Sequence, residues 1–242
     1  MGESKMIKTI LYDLDGTLLP MDMEVFTNTY FGYLVKKMIP YGYEKDALIK
    51  AIWGGTKMMV KNDGSKTNEE AFWDYFCNDG NAKLEDKEIF NEYYEVEFDQ
   101  VKASVGFNEK VPALIEKVKD LGLRQVLATN PIFPAVATKK RVSWAGLSTD
   151  SFEYFTTYEN SHFCKPNPKY YEELLKKVGA DPKECLMIGN DVEQDMVAAS
   201  SLGMKVFLVT DWMLNPNNRD INEYPHGNFD DAFEYIKKVS GK

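Results

Sequence analysis

Four aspartates, a lysine and a threonine stand where this chain could act on a substrate. Asp13 and Asp15 are two residues apart, directly after the apolar, β-branched run Met6-Ile7-Lys8-Thr9-Ile10-Leu11-Tyr12. Two apart at a strand end, their side chains are expected to leave the same face, and such a pair can divide covalent attack and proton transfer between two carboxylates. Thr129-Asn130 follows a second apolar run, and Lys165 stands before Pro166. Gly189-Asn190-Asp191 follows another apolar run, with Asp195 one helical turn later. Taken singly, each has a plainer reading. An Asp after a strand forms turns or caps helices by bonding nearby backbone N–H groups, and a lone lysine is usually a solvated surface charge. A calcium loop is a poor account of Asp13 and Asp15, because Leu18 occupies the sixth position, where that loop requires glycine. Two histidines, His162 and His226, cannot build a His-rich metal site. Three scattered cysteines, Cys77, Cys164 and Cys185, encode neither a disulfide framework nor a zinc site. Any chemistry therefore rests on carboxylates, lysine and hydroxyls.

The elements that must position these groups follow from the apolar periodicity. Strands are expected over residues 6–12, 123–128, 154–156, 185–188 and 205–209. Helices are expected from Asn108 to Leu121, Pro134 to Ala145, Pro168 to Val178, Val192 to Leu202 and Asp230 to Val239, with Gly122 and Gly179 as C-terminal stops. Strands alternating with helices of this length are βαβ units, hence an α/β fold with a doubly wound parallel sheet. After the first strand the texture is helical instead, near 22–39, 44–53, 68–78 and 86–99, with a capping box at Thr67–Glu70. Trp53-Gly54-Gly55 reads as a loop. The predicted organisation is an α/β core of residues 1–20 and 105–242, with an all-helical insertion over 21–104. In an open parallel sheet, ligands bind beyond the carboxyl ends of the strands. All the groups above fall there, and that convergence on one edge makes them a candidate site.

Asp13-Leu14-Asp15-Gly16-Thr17-Leu18-Leu19 resembles the first signature of the haloacid dehalogenase-like (HAD) hydrolase superfamily. Thr129, Lys165-Pro166 and Gly189-Asn190-Asp191 with Asp195 follow in that family's order, and the helical block resembles its C1-type cap. The resemblance implies a Rossmann-like core in which Asp13 is the nucleophile and Asp15 the general acid, then the base. Dehalogenase and phosphonatase members lack a carboxylate at the Asp15 position, so an Asp there implies phosphate-ester chemistry. Thr129 and the Asn130 N–H would bind phosphoryl oxygens, and Lys165 would balance charge on the nucleophile and phosphoryl group. Clustered aspartates repel unless a counter-charge is present, and an oxygen-rich site suits a hard cation such as Mg²⁺. The family's expected ligands are Asp13, the main-chain carbonyl of Asp15, and Asp191, with Asp195 behind them on Lys165 or a metal-bound water. The expected activity is a Mg²⁺-dependent phosphatase acting on a small phosphomonoester through an aspartyl-phosphate. A phosphomutase of the β-phosphoglucomutase type shares these core residues. A non-catalytic binding module that keeps the fold is the third reading.

Composition narrows the partners. With 38 acidic and 29 basic side chains the net charge is −9, poorly matched to a nucleic-acid backbone. No apolar run approaches the ~20 residues of a membrane span. Met1-Gly2-Glu3-Ser4-Lys5 lacks the shape of a signal peptide, so the expected setting is cytoplasmic. The expected partner is a small phosphorylated metabolite, with no nucleic acid, membrane or obligate protein partner. Residues 21–104 hold 15 of the 32 aromatic residues, ten lysines, 16 acids and no arginine. Lacking a bidentate clamp for a second phosphate, the insertion favours a small monophosphate. Its rings read mainly as the core of a helical bundle, with one or two, Trp53 among them, available to an apolar part of the substrate. His162 and Cys164, beside Lys165, read as packing or loop residues, Cys185 as core and His226 as an exposed turn.

Overall fold

In the computed structural model, which describes residues 6–79 and 83–242, Thr9–Tyr12 forms β1 near the centre of a six-stranded sheet. To one side lie β2 (Arg124–Leu127) and β3 (Tyr154–Phe155). To the other lie β4 (Cys185–Gly189), β5 (Lys205–Val209) and β6 (His226–Gly227). All five pairings are parallel, with Leu11 opposite both Val126 and Met187. Because successive strand side chains point to opposite faces, the sheet divides its apolar residues between two layers. Leu11, Val126, Met187 and Leu208 cluster with α7 (Pro168–Val178) and α8 (Ala198–Ser200). Ile10, Tyr12, Leu127 and Ile188 cluster with α5 (Lys110–Asp120), α6 (Ala135–Trp144) and α9 (Phe229–Ser240). The chain winds outward through β2 and β3, then crosses back to place β4 on the other side of β1. The crevice between β1 and β4 is thus the topological switch point, where such sheets bind ligands.

Between β1 and β2 run α1 (Met23–Met38), α2 (Lys45–Val60), α3 (Asn68–Asn78) and α4 (Lys87–Glu95). The segment leaves and returns side by side: Met21 bridges Val105, and the Gly106 N–H donates to the Pro20 carbonyl at 2.8 Å. Its interior is aromatic, with Phe72, Trp73, Phe76 and Phe90 packed largely edge to face.

Several expectations need correction. Trp53-Gly54-Gly55 is not a loop but the middle of α2. A Cβ on Gly54 would lie 2.2 Å from the Tyr75 ring, and one on Gly55 2.5 Å from Phe72, so these glycines let α3 approach the α2 backbone. The helix expected over 86–99 ends at Glu95 and tightens into a 3₁₀ helix over Glu97–Ser104. The helix expected from Val192 to Leu202 opens as a π-helical turn over Val192–Val197. The first strand starts at Thr9, leaving Met6 exposed. His226 is exposed as expected, yet it belongs to an edge strand, in register with Leu208. The reading of Met1–Lys5 falls outside the described residues. Among the described residues no helix is long and apolar enough to cross a membrane.

Candidate active site

Asp13 continues the β1–β4 ladder, its N–H donating to the Ile188 carbonyl at 2.9 Å, so it stands at the mouth of the crevice. The chain then turns: Leu19 N–H donates to the Leu14 carbonyl and Gly16 N–H to the Leu19 carbonyl, both at 2.8 Å. Gly16 has φ +85°, and a Cβ there would meet the Asn190 side chain at 2.2 Å, so only glycine closes this turn. Strand alternation therefore does not bring Asp13 and Asp15 together, because Asp15 lies on the turn. The turn itself directs both to one cavity of about 140 Å³, which Thr129, Asn130, Asp191 and Asp195 also line.

Lys165 follows a different course. Its side chain is 1% exposed and lies beneath the cavity, with Nζ 2.9 Å from Asp13 Oδ1 and 2.6 Å from Asp195 Oδ1. Asp195 Oδ2 accepts the Asp191 N–H at 3.1 Å and packs on Gly189, where a Cβ would sit 2.2 Å away. Asp191 opens the π-helical turn, Oδ1 accepting the N–H groups of Glu193 and Gln194 at 2.9 Å each. Asn130 joins the loops: its Oδ1 accepts the Lys165 N–H at 3.2 Å, and its Nδ2 donates to Gln194 Oε1 at 3.0 Å. Gln194 Nε2 in turn donates to Asp191 Oδ2 at 2.9 Å. The Thr129 carbonyl is anchored by the Thr156 and Tyr170 hydroxyls.

Burial pushes the Asp13 carboxyl up to about 7; Lys165 opposes the shift, while the charges of Asp195 and Asp15 add to it. Burial raises Asp191 too, against the backbone N–H of Gln194 and with the charge of Asp195. Burial disfavours the Lys165 ammonium, yet Asp13 and Asp195 hold it well above the ordinary lysine range.

Sequence reasoning missed Arg141, which forms an ion pair with Asp15. This guanidinium is 1% exposed and lies 4.6 Å from the centroid of the Phe133 ring. The other Asp15 oxygen, Oδ1, is buried with no hydrogen-bond partner among the described residues. In the run Lys139-Lys140-Arg141 the sequence shows only a basic helix face, so no local signal distinguishes this residue. Gln194 and Asn68 were also missed. Asn68 is fully buried at the start of α3, with its amide donating to the Pro131 carbonyl at 3.2 Å and to Cys164 Sγ at 3.3 Å. The insertion is thereby tied to the loops that carry Asn130 and Lys165. Cys164 and Cys185 are buried, as expected of packing residues. His162 pairs with Glu173 at 2.7 Å, a partner outside the carboxylate cluster.

Among the described residues no three acidic, His or Cys side chains converge on one point as a ready-made metal cage. Asp13 and Asp191 do line one cavity, and four carboxylates there face two cations, Lys165 and Arg141. That donor set fits Mg²⁺, which takes one or two carboxylates and keeps several waters.

The sheet order and the acidic crevice at its switch point define the class: a doubly wound, Rossmann-like α/β enzyme fold with a helical insertion after the first strand. The chain belongs to the haloacid dehalogenase-like hydrolases, whose family model matches residues 7–203. It is 25% identical over 205 residues to the glyceraldehyde 3-phosphate phosphatase of Methanopyrus kandleri, covering 82% of each chain. To the pyrophosphatase PpaX of Bacillus cereus it is 24% identical over 208 residues, 86% of this chain and 85% of that one. A HAD phosphatase structure from Thermococcus onnurineus has the same fold, with a TM-score of 0.60, 20% identity, and coverage of 97% of this chain and 98% of that one.

Proposed function

We propose that this protein is a Mg²⁺-dependent phosphatase that hydrolyses a small phosphomonoester through an aspartyl-phosphate on Asp13. In this reading residues 1–20 and 105–242 are the catalytic core and residues 21–104 the cap. The observation that carries it is the pairing of Asp13 and Asp15 on one cavity, with Asp15 Oδ1 buried and unpartnered among the described residues.

An Asp13 oxygen attacks phosphorus, and the bond from phosphorus to the ester oxygen breaks. The departing oxygen takes its electron pair and a proton from Asp15. Asp15, now a carboxylate, removes a proton from water. The hydroxide oxygen attacks phosphorus, the P–O bond to Asp13 breaks with its electrons returning to the carboxylate, and phosphate leaves. The Thr129 hydroxyl and the Asn130 N–H donate to phosphoryl oxygens. Lys165, beneath the cavity, acts through Asp13: it neutralises the attacking carboxylate and is itself held by Asp195. Asp13, Asp191 and the main-chain carbonyl of Asp15 would hold Mg²⁺, which would supply positive charge to offset that of the phosphoryl group.

The test is phosphate release from a panel of sugar phosphates, nucleoside monophosphates and an aryl phosphate with Mg²⁺. Folded Asp13→Asn protein is expected to lose about 10⁴-fold or more, since an amide cannot accept the phosphoryl group. Near-wild-type turnover by that variant would falsify the covalent route.

A further inference from the structure

Beside the catalytic cavity lies a second one of about 100 Å³, lined by the helical insertion, the 132–134 loop and Tyr158. Met23, Phe26, Ile132 and Phe133 line both, so the two adjoin. None of the residues lining the second cavity is charged, and most are aromatic. Its polar groups are largely spent on the protein. The Tyr30 and Tyr94 hydroxyls bond each other at 2.8 Å, and the Thr56 hydroxyl donates to the Ile52 carbonyl at 2.9 Å. Of the described groups lining this cavity, only the Trp73 indole N–H is buried without a well-formed hydrogen bond. That N–H beside the Tyr158 hydroxyl, with the Thr27 hydroxyl, leaves a few neutral groups, too few to replace the water that a polyol or a second phosphate would surrender on entering.

The position matters as much as the polarity. Phe133 lines both cavities and carries on its ring the guanidinium that pairs with Asp15. The carboxylate assigned to protonate the leaving oxygen thus shares the catalytic cavity with a ring that also lines the apolar one. Whatever is attached to that oxygen is directed toward aromatic side chains.

We propose that the alcohol portion of the substrate is a single small aromatic group of benzyl size, seated in this cavity. The substrate class is then a phosphomonoester of an arylalkyl alcohol. The inference rests on the phosphatase reading above. An apolar cavity of ~150 Å³ admits benzene, so one of about 100 Å³ takes one ring with slight side-chain adjustment and excludes two.

The experiment compares kcat/KM for benzyl phosphate and glycerol 1-phosphate, two esters whose alkoxides leave with similar difficulty. About 100-fold preference for benzyl phosphate is expected, because even one methylene in an apolar pocket is worth tenfold or more. Thr27→Trp, which fills the second cavity from outside the catalytic residues, should lower benzyl phosphate turnover at least about tenfold and leave methyl phosphate turnover unchanged. Phosphate release without preference for the benzyl ester overturns this inference and leaves the phosphatase reading standing. Release from no ester at all defeats the phosphatase reading. Calorimetry with benzylphosphonate and methylphosphonate, in the presence of Mg²⁺, then decides the cavity separately. Tighter binding of the benzyl compound supports the cavity assignment, and equal affinity overturns it.

Discussion

Replacing Arg141 with methionine removes the charged partner of Asp15 while keeping a long stem in the core. Breaking a buried ion pair from one side costs about 3–5 kcal/mol, because the remaining charge is left without compensation. Asp15 is 20% exposed and can regain some hydration, which places the cost near the lower bound. Loss of the guanidinium from the Phe133 face adds about 1 kcal/mol. A total of about 4 kcal/mol corresponds, for a chain of this size, to a fall in Tm of about 8–16 °C. Urea unfolding followed by circular dichroism measures the free energy directly. In an Asp15→Asn background there is no carboxylate to strand, so Arg141→Met should cost at least about 2 kcal/mol less there. The catalytic signature is separate from stability. Once Asp15 is no longer held, proton delivery suffers, and an alkyl phosphate should lose about 100-fold in kcat. A nitrophenyl phosphate, whose leaving group needs no proton, should lose less than about tenfold. Additive stability costs in the double-mutant cycle, with equal rate losses on both esters, would refute the assignment of Arg141 as the residue that positions Asp15.

Two further outcomes follow from the geometry. Exhaustive chelation should abolish activity and Mg²⁺ restore it, with Ca²⁺ a poor substitute because its larger, looser shell misplaces the nucleophile; Asp191→Ala should raise the Mg²⁺ needed, and full activity in protein shown to be metal-free would contradict this. Gly189→Ala should cost about 1–3 kcal/mol in urea unfolding and lower kcat, since the new Cβ displaces Asp195 from Lys165, and an unchanged midpoint with an unchanged rate would disprove that contact.

Much of the site is legible from local sequence because the groups follow directly upon strands. Once the alternation of strand and helix indicates a parallel sheet, the strand ends must share one edge, and Asp13, Asp15, Thr129, Asn130, Asp191 and Asp195 line one cavity there. The helix from Pro168 to Val178 was equally legible, since Gly179 ends it, with φ +61° in the structure. These signals lie in neighbouring residues: a capping side chain, a glycine that tolerates left-handed backbone, a run of branched apolar residues.

Other features depend on contacts between distant segments. Gly54-Gly55 has poor intrinsic helix propensity, which favoured a loop reading. The rings of α3 need the space the missing side chains leave, and that packing keeps α2 continuous. His226 lies in a two-residue edge strand, too short to show any period. Lys165 was recognisable as a site residue, but not its burial beneath Asp13. Arg141 looked like one more charge on a basic helix face until the turn at Asp15, 126 residues away, was folded against it. Sequence determined which chemical groups stand at the strand ends, because backbone hydrogen bonding and side-chain periodicity act over a few residues. Tertiary structure decided which charge restrains Asp15 and which surface meets the leaving group, because those contacts exist only after segments far apart in the chain are packed together.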